Sequence, residues 1–430
     1  METNGTRAVV FIHSEAYFRV LERLPVHPKR EEKVLALLRA LSRARDKQEE
    51  DGDEEENESV ACFGMQFVAP SKATYDELTR FHSKAYVDAL QSSSGDQEAN
   101  AAAQEQLLKV REEFNLVDDA YVFPGLYEYC QYVAGASITA ADALRHLIHT
   151  HRQEEKEDTP APVVVNLGGG RHHAMRSQAS GFCYVNDVVL GIQRLLRPGD
   201  GRLDRVLCID IDVHHGDGVQ EAFYFSRNVT TMSFHLFEPT FFPGTGNQDE
   251  TGIGRGKNHN INVPLRRGIT DDQFTALFNR IVEQAVVSVS PQAIVLVCGV
   301  DTLAKDDLGG FNMTSQGVTN CVKKLLSTKL PLLLLGGGGY SGADACKCLA
   351  AVVTTIVSPS LYVLEQDIPE HDYYEEYGPE FRMATKTVIH RPNQNTVDSL
   401  AAVGDQAILI LQSAQASEAN RQQEPSKRKR

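Results

Sequence analysis

Cys208–Gly218 reads CIDIDVHHGDG and carries the strongest local chemical signal in the chain. Side chains on a strand alternate between faces, so Asp210, Asp212 and His214 are expected on one face, with Ile209, Ile211 and Val213 on the other. Three ionisable groups on one face of a buried strand are costly unless they pair with each other or hold a cation. A structural salt-bridge network is the plainer reading. A metal site is the stronger one, because such clusters concentrate at functional sites. An Asp-x-His step supplies two ligands from one strand end. Asp301 follows an apolar run and Gly299. Alone it reads as a helix N-cap; with the other two it completes an Asp/His/Asp set with a position open to water, as in catalytic metal sites.

Two further glycine-rich segments can bring reactive groups to the same place. Asn166–Ala174, NLGGGRHHA, presents His172 and His173 after a turn. No Lys-Ser/Thr follows and no GxGxxG spacing is present, which argues against a phosphate loop. Histidines titrating near neutrality suit general acid and base roles, although one of a pair is often a structural hydrogen bonder. Pro331–Tyr340, PLLLLGGGGY, lets the backbone approach a ligand closely. It delivers Tyr340, whose hydroxyl can stabilise a developing oxyanion; a lone tyrosine there is more often core. Ser180–Tyr184 (SGFCY) and Glu238–Gly246 (EPTFFPGTG) place phenylalanines on loops. Lining an apolar slot and packing on neighbouring loops are equally good accounts of them.

The elements that must position these groups read as α/β. Apolar runs at Arg7–His13, Pro162–Leu167, Val206–Val213, Ala293–Val297 and Pro331–Leu335 are separated by helical stretches such as Glu31–Leu41, Thr74–Leu90 and Ser137–Thr150. Continuous apolar strands between helices indicate a central parallel sheet with helices on both faces. Ligands in such folds sit beyond the carboxyl ends of the strands. We expect one domain over 6–410. Within it we expect a disordered acidic insertion at about 46–58, a Ser/Ala/Gln-rich insertion at about 91–106 and a charged loop at His151–Pro162. A disordered, basic-ended tail is expected over 411–430.

The chain has 430 residues, 42% hydrophobic and 23% charged, with no Trp and a net charge of −15. That balance argues against general nucleic-acid binding and fits a basic partner such as a lysine-rich tail. Eight cysteines without a CxxC pair fit reduced intracellular thiols. No signal-peptide layout is visible, and no apolar run nears the ~18 residues of a membrane span. A cytosolic or nuclear location is expected. The terminal Ser426–Arg430, SKRKR, resembles a short nuclear import signal.

GGGRHHA, ASGFCYVNDVVLGI, IDIDVHHGDGVQEAF, FFPGTG, DTLAKDDLGGFN and LGGGGY occur here in the order found in zinc-dependent class I histone deacetylases of the arginase/deacetylase fold. The resemblance runs from about Thr6 to about Phe381. It implies zinc held by Asp212, His214 and Asp301, with ferrous iron also compatible with so hard a ligand set. It implies His172 and His173 as the tandem catalytic histidines, the second as general base and acid, oriented by Asp210 and Asp217. Tyr340 matches the carbonyl-polarising tyrosine. Phe182 and Phe242 match the walls of an acetyl-lysine tunnel, and Gly181 matches a backbone contact to the amide. Asp119 and Leu308 match the substrate rim. A structural potassium is implied near Asp210, Asp212, His214, Ser233 and Phe234. The expected reaction is hydrolysis of acetyl-lysine on histones or other nuclear proteins.

Pro28-Lys29-Arg30 and Ala343 resemble the stand-alone subgroup that acts on histones and cohesin. Members recruited to corepressors carry arginine at the position of Ala343 to bind inositol phosphate. That cofactor is therefore not expected, although Arg266 matches one of its contacts. Three departures stand out: Arg171 for an apolar residue, Val297 for glutamine, and Asn258-His259 for a Tyr-Tyr pair near a second potassium site. An arginase-like ureohydrolase would need a carboxylate where Leu303 stands. A polyamine deacetylase would need an acidic gate, and an inactive acetyl-lysine-binding scaffold would not need the full catalytic set.

Overall fold

The computed structural model describes residues 7–24, 26, 28–49, 62–93, 101–153, 159–386 and 391–423. Eight strands form one sheet: β1 Val9–Ile12, β2 Gln66–Val68, β3 Val163–Asn166, β4 Val206–Asp210, β5 Val229–Leu236, β6 Asn260–Leu265, β7 Ala293–Val297 and β8 Leu332–Leu335. Their order is β2-β1-β3-β8-β7-β4-β5-β6, and every pairing is parallel. The inner strands VVVN, VLCID, AIVLV and LLLL are buried at every position. A strand buried on both sides needs cover on both sheet faces, which is the expected α/β layering. The helix Leu126–Gln153 packs on β1, β3 and β8 together with Asp187–Leu195. A second group, Asp271–Val289, Ser315–Ser327, Ala343–Val357 and Arg30–Glu49, packs in succession.

Register aligns the strand ends. Asn166 lies beside Leu335, Leu335 beside Val297, Val297 beside Asp210, and Asp210 beside Ser233. The loops leaving β3, β8, β7 and β4 therefore start from one row in the middle of the sheet.

Several expected boundaries are corrected. The helix Val397–Gln423 carries the domain past 410, so 411–423 is not a tail. Ala407, Ile410, Leu411 and Ala414 recur at helical spacing and are buried, as the helix seats on Asp271–Val289 and β6. The rest of the expected tail, including SKRKR, lies outside the described residues. The 91–106 insertion is helical at both ends, within Lys84–Ser93 and Ala101–Glu113, and 94–100 lies outside the description. Asp46–Glu49 completes the helix Arg30–Glu49, and the remainder of the acidic block lies outside the description. The helix expected over Thr74–Leu90 is two, Tyr75–Leu78 and the start of Lys84–Ser93. His151–Gln153 belongs to the helix Leu126–Gln153. Among the described residues no helix is long and apolar enough to cross a membrane.

Candidate active site

β4 ends at Asp210, earlier than the Val213 expected from its apolar run. The Asp210 carboxylate accepts the backbone N–H of Asp212 at 2.9 Å, turning the chain. Asp212 and His214 thus project from this turn and not from an extended strand. The apolar partition survives the correction, since Ile211 and Val213 remain buried.

The turn meets Asp301, which follows β7. Nδ1 of His214 lies 3.1 Å from Asp212 Oδ1 and 3.1 Å from Asp301 Oδ2. The three ligand atoms lie within 4.8 Å of one another. A tetrahedral ion with bonds near 2.0–2.1 Å needs donors about 3.3 Å apart, so the donor set fits a metal of that size. Backbone amides hold the second oxygens: Gly338 N–H donates to Asp212 Oδ2 at 2.7 Å and Val213 N–H to Asp301 Oδ1 at 2.8 Å. Glycine is required beside them. A Cβ on Gly299 would stand 2.2 Å from Asp212 Oδ2, and one on Gly338 2.1 Å from Asp301 Oδ2. Burial opposes charge on His214, but hydrogen bonds to Asp212 and Asp301 outweigh it and push the imidazole up to about 10. Burial, with the neighbouring Asp212 charge, raises the Asp301 carboxyl. A dication would supply the positive charge that this arrangement otherwise takes from a proton.

His172 and His173 follow β3 with ring centroids 4.0 Å apart. Nδ1 of His172 is 2.6 Å from Asp210 Oδ2, and Nδ1 of His173 is 2.8 Å from Asp217 Oδ1. Burial lowers both, yet the outcomes diverge. Asp210 and Asp212 overcome burial at His172 and push it up to about 9. At His173, burial and the charge of His172 outweigh Asp217 and bring it down to about 4. Neighbouring groups driven apart in this way suit different proton-handling roles. Asp217 is itself fixed by the Gly218 N–H at 2.9 Å.

Tyr340 follows β8 and is partly buried, its ring centroid 6.1 Å from that of Phe182. Burial, with Asp301 and Asp212, pushes its hydroxyl well above the usual range, so it remains a donor. Phe242 meets the His173 ring edge-on at 4.9 Å. Gly181 has a φ of 52° and closely abuts both: a Cβ there would lie 2.7 Å from His173 Cδ2 and 2.9 Å from Phe242 Cε1. Asp119 accepts the Gly181 N–H at 3.0 Å. Phe242, expected as a tunnel wall, and Leu308, expected at the rim, are 40% and 43% exposed. Of the implied potassium residues, Asp210 and Ser233 are register neighbours, with Ser233 Oγ 2.9 Å from His235 Nδ1. The Phe234 side chain is core, against Phe274 and Phe278. His259, which departs from the family's Tyr-Tyr pair, is bonded through Nδ1 to the Thr230 hydroxyl at 2.9 Å.

Three functional contributors escape sequence reasoning. Phe241 stacks flat on His214 at 5.0 Å, although only Phe242 of the pair was singled out. Asp187 is fully buried and accepts Gly170 N–H at 3.0 Å, Arg171 N–H at 2.7 Å and the Ser137 hydroxyl at 2.5 Å, anchoring the histidine loop. Asp306 accepts the Tyr340 N–H at 2.6 Å and the Ser341 N–H at 3.1 Å. Their available signal was an Asn-Asp step opening a helix, Asn186-Asp187, and the acidic pair Asp306-Asp307.

The histone deacetylase domain family matches residues 24–356. Histone deacetylase HDAC1 of Drosophila melanogaster is 40% identical over 79% of this chain, a stretch covering 60% of the fly protein. Histone deacetylase 8 of Danio rerio is 35% identical over 94% of both chains. Histone deacetylase 1 of Homo sapiens is 39% identical over 79% of this chain and 65% of the human protein. The match thus spans less than two thirds of the fly and human relatives, and nearly all of the zebrafish one. With a family match across most of its length and the Asp/His/Asp, histidine-pair and tyrosine loops meeting at one sheet edge, the chain belongs to the histone deacetylase family.

Proposed function

We propose that the chain hydrolyses the amide of acetyl-lysine side chains on proteins, using one divalent cation held by Asp212, His214 and Asp301. The carrying observation is the convergence of that donor set with two carboxylate-held histidines on adjacent loops. Bound there, a zinc or ferrous ion supplies Lewis acidity toward the acetyl carbonyl and the attacking water. His173, with Nδ1 held by Asp217, uses Nε2 to take the water's proton and to return it to the departing lysine amine. His172, oriented by Asp210, stands beside it with ring centroids 4.0 Å apart. Tyr340 donates its hydroxyl to the oxygen on which negative charge develops. Phe182, Phe242 and Gly181 form the walls for the lysine chain, with Asp119 and Leu308 at the rim. Acetate and free amine are released.

The substrates we assign are acetylated histone or non-histone proteins, for which a net charge of −15 favours basic segments. Ala343 and Pro28-Lys29-Arg30 support the stand-alone subgroup, with cohesin among candidate substrates, and work without inositol phosphate. A nuclear site of action, with cytoplasm as a second location, rests on the substrate class and on SKRKR. A structural potassium would lie near Asp210, Asp212, His214, Ser233 and Phe234, of which Asp210 and Ser233 are register neighbours. Acetate release from acetyl-lysine peptides tests the proposal. Wild type is expected to turn over, and Asp301→Ala to lose both metal and turnover. An Asp301→Ala protein that retains full turnover overturns it.

A further inference from the structure

Arg171 directly precedes the histidine pair and is 7% exposed. Its Nε is buried without a hydrogen-bond partner, and no described residue accepts from its guanidinium. The carboxylates of Asp187 and Glu31 are already engaged. Both oxygens of Asp187 take the amides of Gly170 and Arg171 and the Ser137 hydroxyl. Glu31 is bonded by Arg30, at 3.1 and 2.9 Å. Tyr129 is 1% exposed, and its hydroxyl also lacks a partner among the described residues. Arg171 sits on the loop that carries His172 and His173, its N–H held by Asp187 at 2.7 Å, and the Tyr129 ring lies 6.0 Å from that of Tyr184, two residues after Phe182. A buried guanidinium and a buried hydroxyl without acceptors are costly. One small anion with two oxygens satisfies both, and a carboxylate matches the guanidinium fork.

We propose that Arg171 and Tyr129 form a carboxylate-binding floor beneath the acyl pocket, admitting acyl groups that end in a carboxylate, such as malonyl-, succinyl- or glutaryl-lysine. This rests on the amide-hydrolase reading of the same site. The reaction keeps its balance: water's oxygen bonds the acyl carbon, the C–N bond breaks, its electron pair and a proton go to the lysine amine, and a dicarboxylic acid leaves. A free monocarboxylate, including the acetate product, offers the same chemistry and is the other source of the ligand.

The test compares kcat/KM for acetyl-, malonyl-, succinyl- and glutaryl-lysine peptides in wild type, Arg171→Leu, Arg171→Gln and Tyr129→Phe. Thermal shifts with acetate and succinate are measured in parallel. A charged hydrogen bond of this kind predicts that Arg171→Leu lowers the ratio of carboxyacyl to acetyl activity by about 10- to 100-fold. Arg171→Gln guards against loss of fold, and Tyr129→Phe should lower the ratio less. If no carboxyacyl peptide is cleaved but acetate or succinate stabilises wild type and not Arg171→Leu, the floor holds a free carboxylate. Equal ratios together with equal carboxylate shifts overturn the floor. Loss of every peptide activity in wild type, with carboxylate binding intact, overturns the hydrolase reading alone.

Discussion

Replacing Tyr340 by Phe removes one hydroxyl and little else. The tilted contact with Phe182, at 6.1 Å between centroids, depends on the ring and is retained. The Tyr340 amide that donates to Asp306 at 2.6 Å is backbone and is retained. Because burial, Asp301 and Asp212 hold the hydroxyl protonated throughout any workable pH range, the wild-type group is always a donor. Deleting one donor to a developing oxyanion costs about 10²–10³ in kcat, or roughly 3–4 kcal/mol of barrier. Tyr340→Phe should therefore lower kcat for an acetyl-lysine peptide by that factor, while KM changes by less. Acetate release under saturating substrate measures the first quantity. Metal content and thermal midpoint, measured on the same preparation, should match wild type. Full kcat with normal metal content would refute the oxyanion role. Loss of kcat accompanied by loss of metal would show that the residue acts on the ligands instead.

Asp217→Asn should cut kcat by about 10²–10⁴, since His173 loses the carboxylate that fixes its tautomer, and an unchanged rate would remove Asp217 from the mechanism. Gly299→Ala forces a methyl to 2.2 Å from Asp212 Oδ2, so metal titration should show affinity reduced by about 10-fold or more. His82 is held by burial down to about 4 while its Nε2 accepts the Asn186 N–H at 3.0 Å. Its folded value lies below the unfolded ~6.5, so the unfolded chain binds the extra proton and stability falls as pH drops from ~6.5 toward 4, by about 3 kcal/mol in all. Denaturant curves for His82→Gln should show that part of the pH slope flattened, and an unaltered slope would contradict the assignment.

The sheet was legible where strands are uniformly apolar, as in VVVN, AIVLV and LLLL. β5 and β6 escaped notice because Thr, Ser, His and Asn interrupt their apolar runs, polar groups that bond within the sheet and beside the site. The helix Val397–Gln423 was not legible because polar residues after Leu411 suggest a tail, although Leu411 and Ala414 lie on its buried side. The grouping of Asp212, His214 and Asp301 was legible because each follows a strand, and a parallel sheet delivers its carboxyl ends to one edge. Asp187 and Asp306 were not, since their role is to accept loop amides, and nothing in an isolated Asp reveals which distant amide it will meet.

The central claim is a single catalytic metal held by Asp212, His214 and Asp301, with Leu303 buried where a second metal would need a carboxylate. Its most direct test is stepwise return of zinc or ferrous ion to chelated protein, reading bound metal and acetyl-lysine hydrolysis in parallel. The account predicts activity that rises linearly and saturates at one ion per chain. Saturation at two ions per chain, or full activity in the chelated protein, would contradict it.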